Sequence, residues 1–143
     1  MSAIRTILLA EDSLADAEMA VDALREALAR GQFELHYQPQ LDRSSRVIGA
    51  EALLRWTHAE EGAIPPGEFI PIVESTSLAR ATTEWVLAAA MRQLAAWREA
   101  GADLVPVSIN VSPKQFLRGG VQRHLSGAMA RHRVPASLIE IEI

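Results

Sequence analysis

Two hydrophobic periods alternate along this chain, and they mark out its elements. Ile7, Leu8 and Leu9 form an unbroken apolar run within Ile4 to Ala10, the pattern of a buried parallel strand. Ser13, with Asp16 three residues later, is a helix start. Ala17, Val21, Leu24 and Leu28 then share one helical face, and Gly31 supplies the stop. From Phe33 to Leu41 the period changes to two: Phe33, Leu35 and Tyr37 alternate with Glu34, His36 and Gln38. Pro39 argues against a fully paired central position near the end of that strand. Asp42-Arg43-Ser44-Ser45 reads as a turn. Val47 to Trp56 is a second strand, apolar enough to be buried on both faces, so the two form a hairpin.

The stretch from Glu60 to Pro66 reads as a loop, and a short helix over Gly67 to Glu74 is interrupted by Pro71. Leu78 to Ala100 is the clearest helix, with Val86, Ala90, Leu94 and Trp97 on one face and Gly101 at its end. Leu104 to Val111 predicts a strand, after which Pro113 breaks the chain. A helix over Val121 to Arg133 ends before Pro135, and Leu138 to Ile143 is a last strand. From residue 47 onward the order is strand, helix, strand, helix, strand. That order implies right-handed crossovers and a parallel sheet, an α/β fold. No helix follows Ile139-Glu140-Ile141-Glu142-Ile143 to cover it, and an open apolar edge is what complete domains avoid. The expectation is a truncated α/β domain whose open edges pair in a homodimer.

Composition narrows the chemistry. The 143 residues contain no cysteine, which excludes disulfides, zinc-thiolate sites and thiol catalysis. Fourteen basic against eighteen acidic residues give a net charge of −4, so no basic footprint for a nucleic-acid polymer is present. No apolar run approaches the roughly 18 residues of a membrane span. The N-terminus lacks the apolar region of a secretory signal. The expectation is a soluble cytoplasmic protein.

In parallel α/β folds the working residues lie at the C-terminal ends of strands. Glu51 lies within the otherwise apolar segment Gly49-Ala50-Glu51-Ala52-Leu53-Leu54 and is followed by Arg55. A carboxylate in such a run is paired, hydrogen-bonded or metal-bound. Asn110 ends the next strand on the face of Ser108, and Glu140 and Glu142 share one face of the last. If these strands are parallel neighbours, Glu51, Asn110 and Glu142 converge as an all-oxygen set suited to Mg²⁺ or Mn²⁺. Such a cation polarises a phosphoryl oxygen and activates water, and Arg55 could neutralise a phosphate. A plainer reading stays open for each residue. Arg55 is then the structural partner of Glu51, Asn110 a strand cap, and the two late glutamates the solvent face of an edge strand. His36, His58, His124 and His132 show no ligand spacing, and Trp85 and Trp97 fit a core.

The words themselves carry a resemblance. Phe33-Glu34-Leu35-His36-Tyr37-Gln38-Pro39-Gln40 and Gly49-Ala50-Glu51-Ala52-Leu53-Leu54-Arg55-Trp56 resemble the opening of an EAL domain. Pro66-Gly67-Glu68-Phe69-Ile70-Pro71, Trp85-Val86-Leu87, Ser108-Ile109-Asn110-Val111-Ser112 and Leu138-Ile139-Glu140-Ile141-Glu142-Ile143 follow in family order. EAL domains are bacterial phosphodiesterases that linearise cyclic di-GMP to pGpG. The resemblance implies a (β/α)₈ TIM-type barrel with an antiparallel first strand, here truncated after about the fourth strand. It implies metal ligands at Glu51, Asn110 and Glu142, with Glu51 in the catalytic set. Substrate contacts fall at Gln38, Leu54 and Arg55, the cofactor is Mg²⁺ or Mn²⁺, and cyclic di-GMP is the partner. The family's later Asp pair, Lys, Glu and Gln are not among these residues. A barrel of this class takes about 250 residues. The expectation is therefore that the chain alone does not complete the reaction, with a non-catalytic binding or interaction module as the alternative.

A second, shorter resemblance covers about residues 4–26. Ile7-Leu8-Leu9-Ala10-Glu11-Asp12-Ser13 resembles the first strand of a response-regulator receiver, in which the acidic pair, here Glu11 and Asp12, binds Mg²⁺. No phosphoacceptor strand follows, so a phosphorelay role is not expected, and a strand and helix packed on the half-barrel is the simpler reading. The expected organisation is a receiver-like start over 1–30 and half an EAL domain over 31–143.

Overall fold

The computed structural model describes Ile4 and residues 14–143. The strand expected at Ile4 to Ala10, the Ser13 cap and the acidic pair Glu11-Asp12 lie outside the described residues, Ile4 excepted. The elements are α1 (Leu14–Ala29), β1 (Phe33–Leu41), β2 (Val47–His58), β3 (Gly62–Ile64), α2 (Pro66–Ser75) and α3 (Leu78–Glu99). After them come β4 (Val107–Asn110), α4 (Pro113–Leu117), α5 (Val121–His132), a 3-10 turn (Ala136–Leu138) and β5 (Ile139–Glu142). Among these residues the strands make one open sheet, with neighbours in the order β1-β2-β4-β5 and β3 paired to β2. Asp42 N donates to Arg46 O across the turn joining β1 and β2, and a connection that tight requires antiparallel strands. β2, β4 and β5 are parallel. The expected α/β order with an antiparallel first strand is what the chain adopts.

Contacts divide the chain into two compact units, one of Met1–Glu34 with Leu54–Thr82 and one of Leu35–Leu53 with Thr83–Ile143. The first is organised by aromatic rings. Trp56 is edge-on to Phe33 and to Phe69 at centroid distances of 6.0 and 5.5 Å, and Phe33 stacks on Phe69 at 5.8 Å. The Trp56 indole N–H donates to Gln32 Oε1 at 3.0 Å, which satisfies a polar atom that burial would otherwise strand. α1 buries Ala20, Leu24 and Ala27, a stripe rotated from the expected one. Ala17 is exposed, because the small residues at 20 and 27 give the closer approach. α2 runs through Pro71 without interruption. The carbonyl that Pro71 leaves without a donor is that of Gly67, and both residues are exposed, so water can serve it. The loop expected at Glu60 to Pro66 contains β3, which pairs antiparallel with β2 through Trp56 and Ile64.

Among the described residues the buried Thr82 hydroxyl has no partner. Thr82 is 5% exposed. Burying an unpaired hydroxyl costs about 1–3 kcal/mol, and valine has nearly the same shape. Thr82→Val is therefore expected to raise stability by about 1 kcal/mol in urea denaturation. A loss of stability would show that the hydroxyl is served after all.

The second unit packs α3 and α5 on one face of β2, β4 and β5. Its core joins Leu87, Ala90, Met91 and Leu94 to Ala52, Val107 and Ile109, with Ile139 and Ile141 packed against it. Val47 and Ile48, expected to be buried, are exposed, since they precede the stretch of β2 that pairs with β4. β4 starts at Val107 rather than Leu104 because Pro106 has no N–H for the ladder. Pro113 opens α4 instead of only breaking the chain, with Ser112 as its cap. Arg98 donates to the carbonyls of Arg133 and His132, closing the C-terminus of α5 where Arg133 takes a left-handed conformation. No described helix is long and apolar enough to cross a membrane.

Tyr37 lies edge-on to Trp97, with ring centroids 4.8 Å apart. Burial pushes its phenol up to about 12, against a smaller opposing pull from the Arg92 charge. Tyr37 is the chain's one tyrosine, so phenolate absorbance reports it alone. Folding favours the neutral phenol. This contribution is complete below the ordinary value of about 10 and is lost as pH rises through about 12. With partial exposure it is worth about 1–2 kcal/mol. The absorbance midpoint is expected near 12 in the native protein and near 10 in denaturant. Coincident midpoints would show that the ring is freely solvated.

Candidate functional site: a row of carboxylates and amide at the strand ends

β4 and β5 alternate between an apolar face on the helices and a polar face opposite, and β2 places Glu51 opposite the core residue Ala52. Val107 and Ile109 enter the core, which leaves Ser108 and Asn110 on the other side. The parallel register pairs Glu51 with Ser108, Ser108 with Glu140, and Asn110 with Glu142. Register partners in a parallel pair point the same way. Glu51, Ser108, Asn110, Glu140 and Glu142 therefore share one face, with Asn110 and Glu142 at the C-terminal ends of their strands.

Asn110 Nδ2 donates to Glu51 Oε1 at 2.9 Å, and Ser108 Oγ donates to Glu140 Oε2 at 3.1 Å. Glu51 thus takes its hydrogen bond from Asn110 and not from an arginine, which removes the plain ion-pair reading of Glu51 and Arg55. The amide that gives its NH₂ to Glu51 keeps its own oxygen as an acceptor. Among the described residues no basic side chain makes a salt bridge to Glu51, Glu140 or Glu142. Like charges grouped without a cation repel. Nor do the described residues gather three His, Cys, Asp or Glu side chains closely enough to hold a metal ion. Glu51, Asn110 and Glu142 are two carboxylates and one amide. Hard oxygen donors of this type would suit Mg²⁺ or Mn²⁺.

The other expected contacts are placed as follows. Gln38 is exposed in β1, while Leu54 and Arg55 are half-buried in β2. Arg55 Nη1 donates to the Leu54 carbonyl at 3.0 Å. His124 is satisfied, at 3.0 Å from Glu84 and 2.8 Å from the Gly120 carbonyl. Sequence reasoning put Glu140 on the right face but missed its bond to Ser108. The alternation Ser-x-Asn against Glu-x-Glu was the signal, and only the register converts it into a contact.

The EAL domain family model matches residues 21–143, and the chain belongs to the EAL family. It is 40% identical over 121 residues to the bifunctional diguanylate cyclase/cyclic di-GMP phosphodiesterase MucR of Pseudomonas aeruginosa, covering 84% of this chain and 18% of that protein. It is 36% identical over 121 residues to the signaling protein YkoW of Bacillus subtilis, covering 84% and 15%. Among solved structures, the MucR phosphodiesterase in complex with c-di-GMP superposes with a TM-score of 0.81 at 39% identity, over 87% of this chain and 51% of that one. The Xanthomonas citri FimX EAL domain in complex with c-diGMP gives 0.77 at 29% identity, over 89% and 49%. The chain thus spans about half of these solved domains and under a fifth of these two curated relatives.

Proposed function

We propose that this chain forms one wall of a cyclic di-GMP site in which Glu51, Asn110 and Glu142 hold Mg²⁺ or Mn²⁺. Gln38 and Arg55 meet the nucleotide with their side chains, and Leu54, which shares the face of the core residue Ala52 opposite Glu51, meets it through its backbone. The carrying observation is the juxtaposition at the strand ends: Asn110 is bonded to Glu51 and stands in register with Glu142. The MucR and FimX structures, which hold this dinucleotide, support the choice of ligand. When bound, the cation supplies charge that polarises a phosphoryl oxygen and lowers the pKa of water. The chain's own part is placement. β2 and β4 set the Glu51 carboxylate and the Asn110 amide side by side, and the Arg55 guanidinium offers a fork for phosphate oxygens.

In this reading the 143 residues bind and orient one side of a phosphodiester without completing its hydrolysis, since in-line displacement needs groups on both sides. A receiver-like start ahead of the half-barrel and a place inside the cell belong to the same proposal. The test is calorimetric titration of cyclic di-GMP with Mn²⁺ present, beside a turnover assay. Saturable binding, at least tenfold weaker in Arg55→Ala, with no turnover, is the expected result. Absence of binding by the folded protein would overturn the proposal. Turnover lost in Glu51→Ala would show instead that a working site assembles from these residues, by pairing of two copies.

A further inference from the structure

β5 carries a sequence that does not fix its own register. Ile139-Glu140-Ile141-Glu142-Ile143 repeats with period two. A one-residue slip against β4 would turn its isoleucines out of the core, so burial forbids it. A two-residue slip keeps Ile139 and Ile141 on the core side and both glutamates on the other; Ile143 is exposed already, and the apolar cost falls on Leu138, which leaves the core edge. In that slipped pairing Glu140 would stand beside Asn110. Both strands are only four residues long, so few ladder bonds oppose the change.

The polar face separates the two registers as well, through Ser108. It is 1% exposed, and its hydroxyl needs an acceptor because a buried unpaired donor is costly. In the observed register the residue opposite is Glu140, which accepts at 3.1 Å. In the slipped register the residue opposite would be Leu138, which has no side-chain acceptor. Asn110 does not discriminate in the same way, since its amide is already committed to Glu51 on the other flank. We infer that Ser108 is a positioning residue that selects the register of β5, and through it selects Glu142 over Glu140 as the carboxylate beside Asn110. The consequence for cation binding rests on the function proposed above. The register itself does not.

The test uses isotope-labelled chain and cross-strand nuclear Overhauser effects, with Mn²⁺ affinity as the second readout. The wild type is expected to show Asn110–Glu142 contacts alone. Ser108→Ala removes only the hydroxyl, and is expected to add Asn110–Glu140 contacts from about one molecule in ten or more, with weaker Mn²⁺ binding. Glu140→Gln keeps an acceptor for Ser108 and is expected to hold the single register. Glu140→Leu, an exposed position, is expected to mix registers as Ser108→Ala does. A single wild-type register in both Ser108→Ala and Glu140→Leu would overturn the inference. A wild type that ignores Mn²⁺ would overturn the metal reading and still leave the register decided by the contacts.

Discussion

Trp56→Ala is expected to cost about 3–5 kcal/mol of stability, the range for deleting a large buried aromatic side chain. Trp56 is 1% exposed and lies against three further rings, Phe33, His58 and Phe69, so no neighbour can fill the space without breaking another contact. The substitution also strands the amide oxygen of Gln32, which accepts from the indole. For a domain of this size each kcal/mol moves the melting temperature by roughly 2–4 °C, so a fall of about 10 °C is the observable. Trp56→Phe keeps one ring and should lose less than half as much. A loss below about 1.5 kcal/mol for Trp56→Ala would mean that the cluster rearranges around the gap. Arg55 precedes Trp56 in β2, so this packing also anchors the strand that presents the proposed phosphate contact.

Much of this arrangement was legible before any coordinates. The alternation through Phe33-Glu34-Leu35-His36-Tyr37 identified β1 because one face of that strand is buried and the other is not. The Glu51, Asn110 and Glu142 constellation followed from strand ends and parallel order alone, since both are set by local periodicity and chain direction. What stayed hidden depends on tertiary context. β3 is three residues long, too short for a period to show. Pro71 reads as a breaker, yet α2 tolerates it because the freed carbonyl belongs to an exposed residue. α1 turned its alanines inward where the larger Val21 and Leu28 were expected, because close approach rewards small side chains and periodicity does not measure distance. The Ser108–Glu140 bond spans 32 residues, and no local pattern encodes it.

Glu51→Gln is expected to remove most of the stabilisation by Mn²⁺ while leaving the metal-free fold unchanged. Glutamine keeps an Oε1 acceptor for the Asn110 amide, 2.9 Å away in the wild type, so the metal-free change should stay within about 0.5 kcal/mol. It removes one of the two charges offered to the cation beside a neutral amide. A ligand that binds only the folded state stabilises it by about 2.7 kcal/mol at a hundred times its dissociation constant. The wild type should therefore melt several degrees higher in saturating Mn²⁺, and Glu51→Gln at the same concentration should gain a fraction of that. Arg55→Ala separates the two roles in the proposed site. It should retain the Mn²⁺ shift, because Arg55 bonds the Leu54 carbonyl and brings no oxygen to the cation, and should lose nucleotide binding. Equal Mn²⁺ shifts in the wild type and Glu51→Gln would place the ion elsewhere on this acidic chain. The hydrogen bond between Glu51 and Asn110 would then be only a strand-to-strand tie.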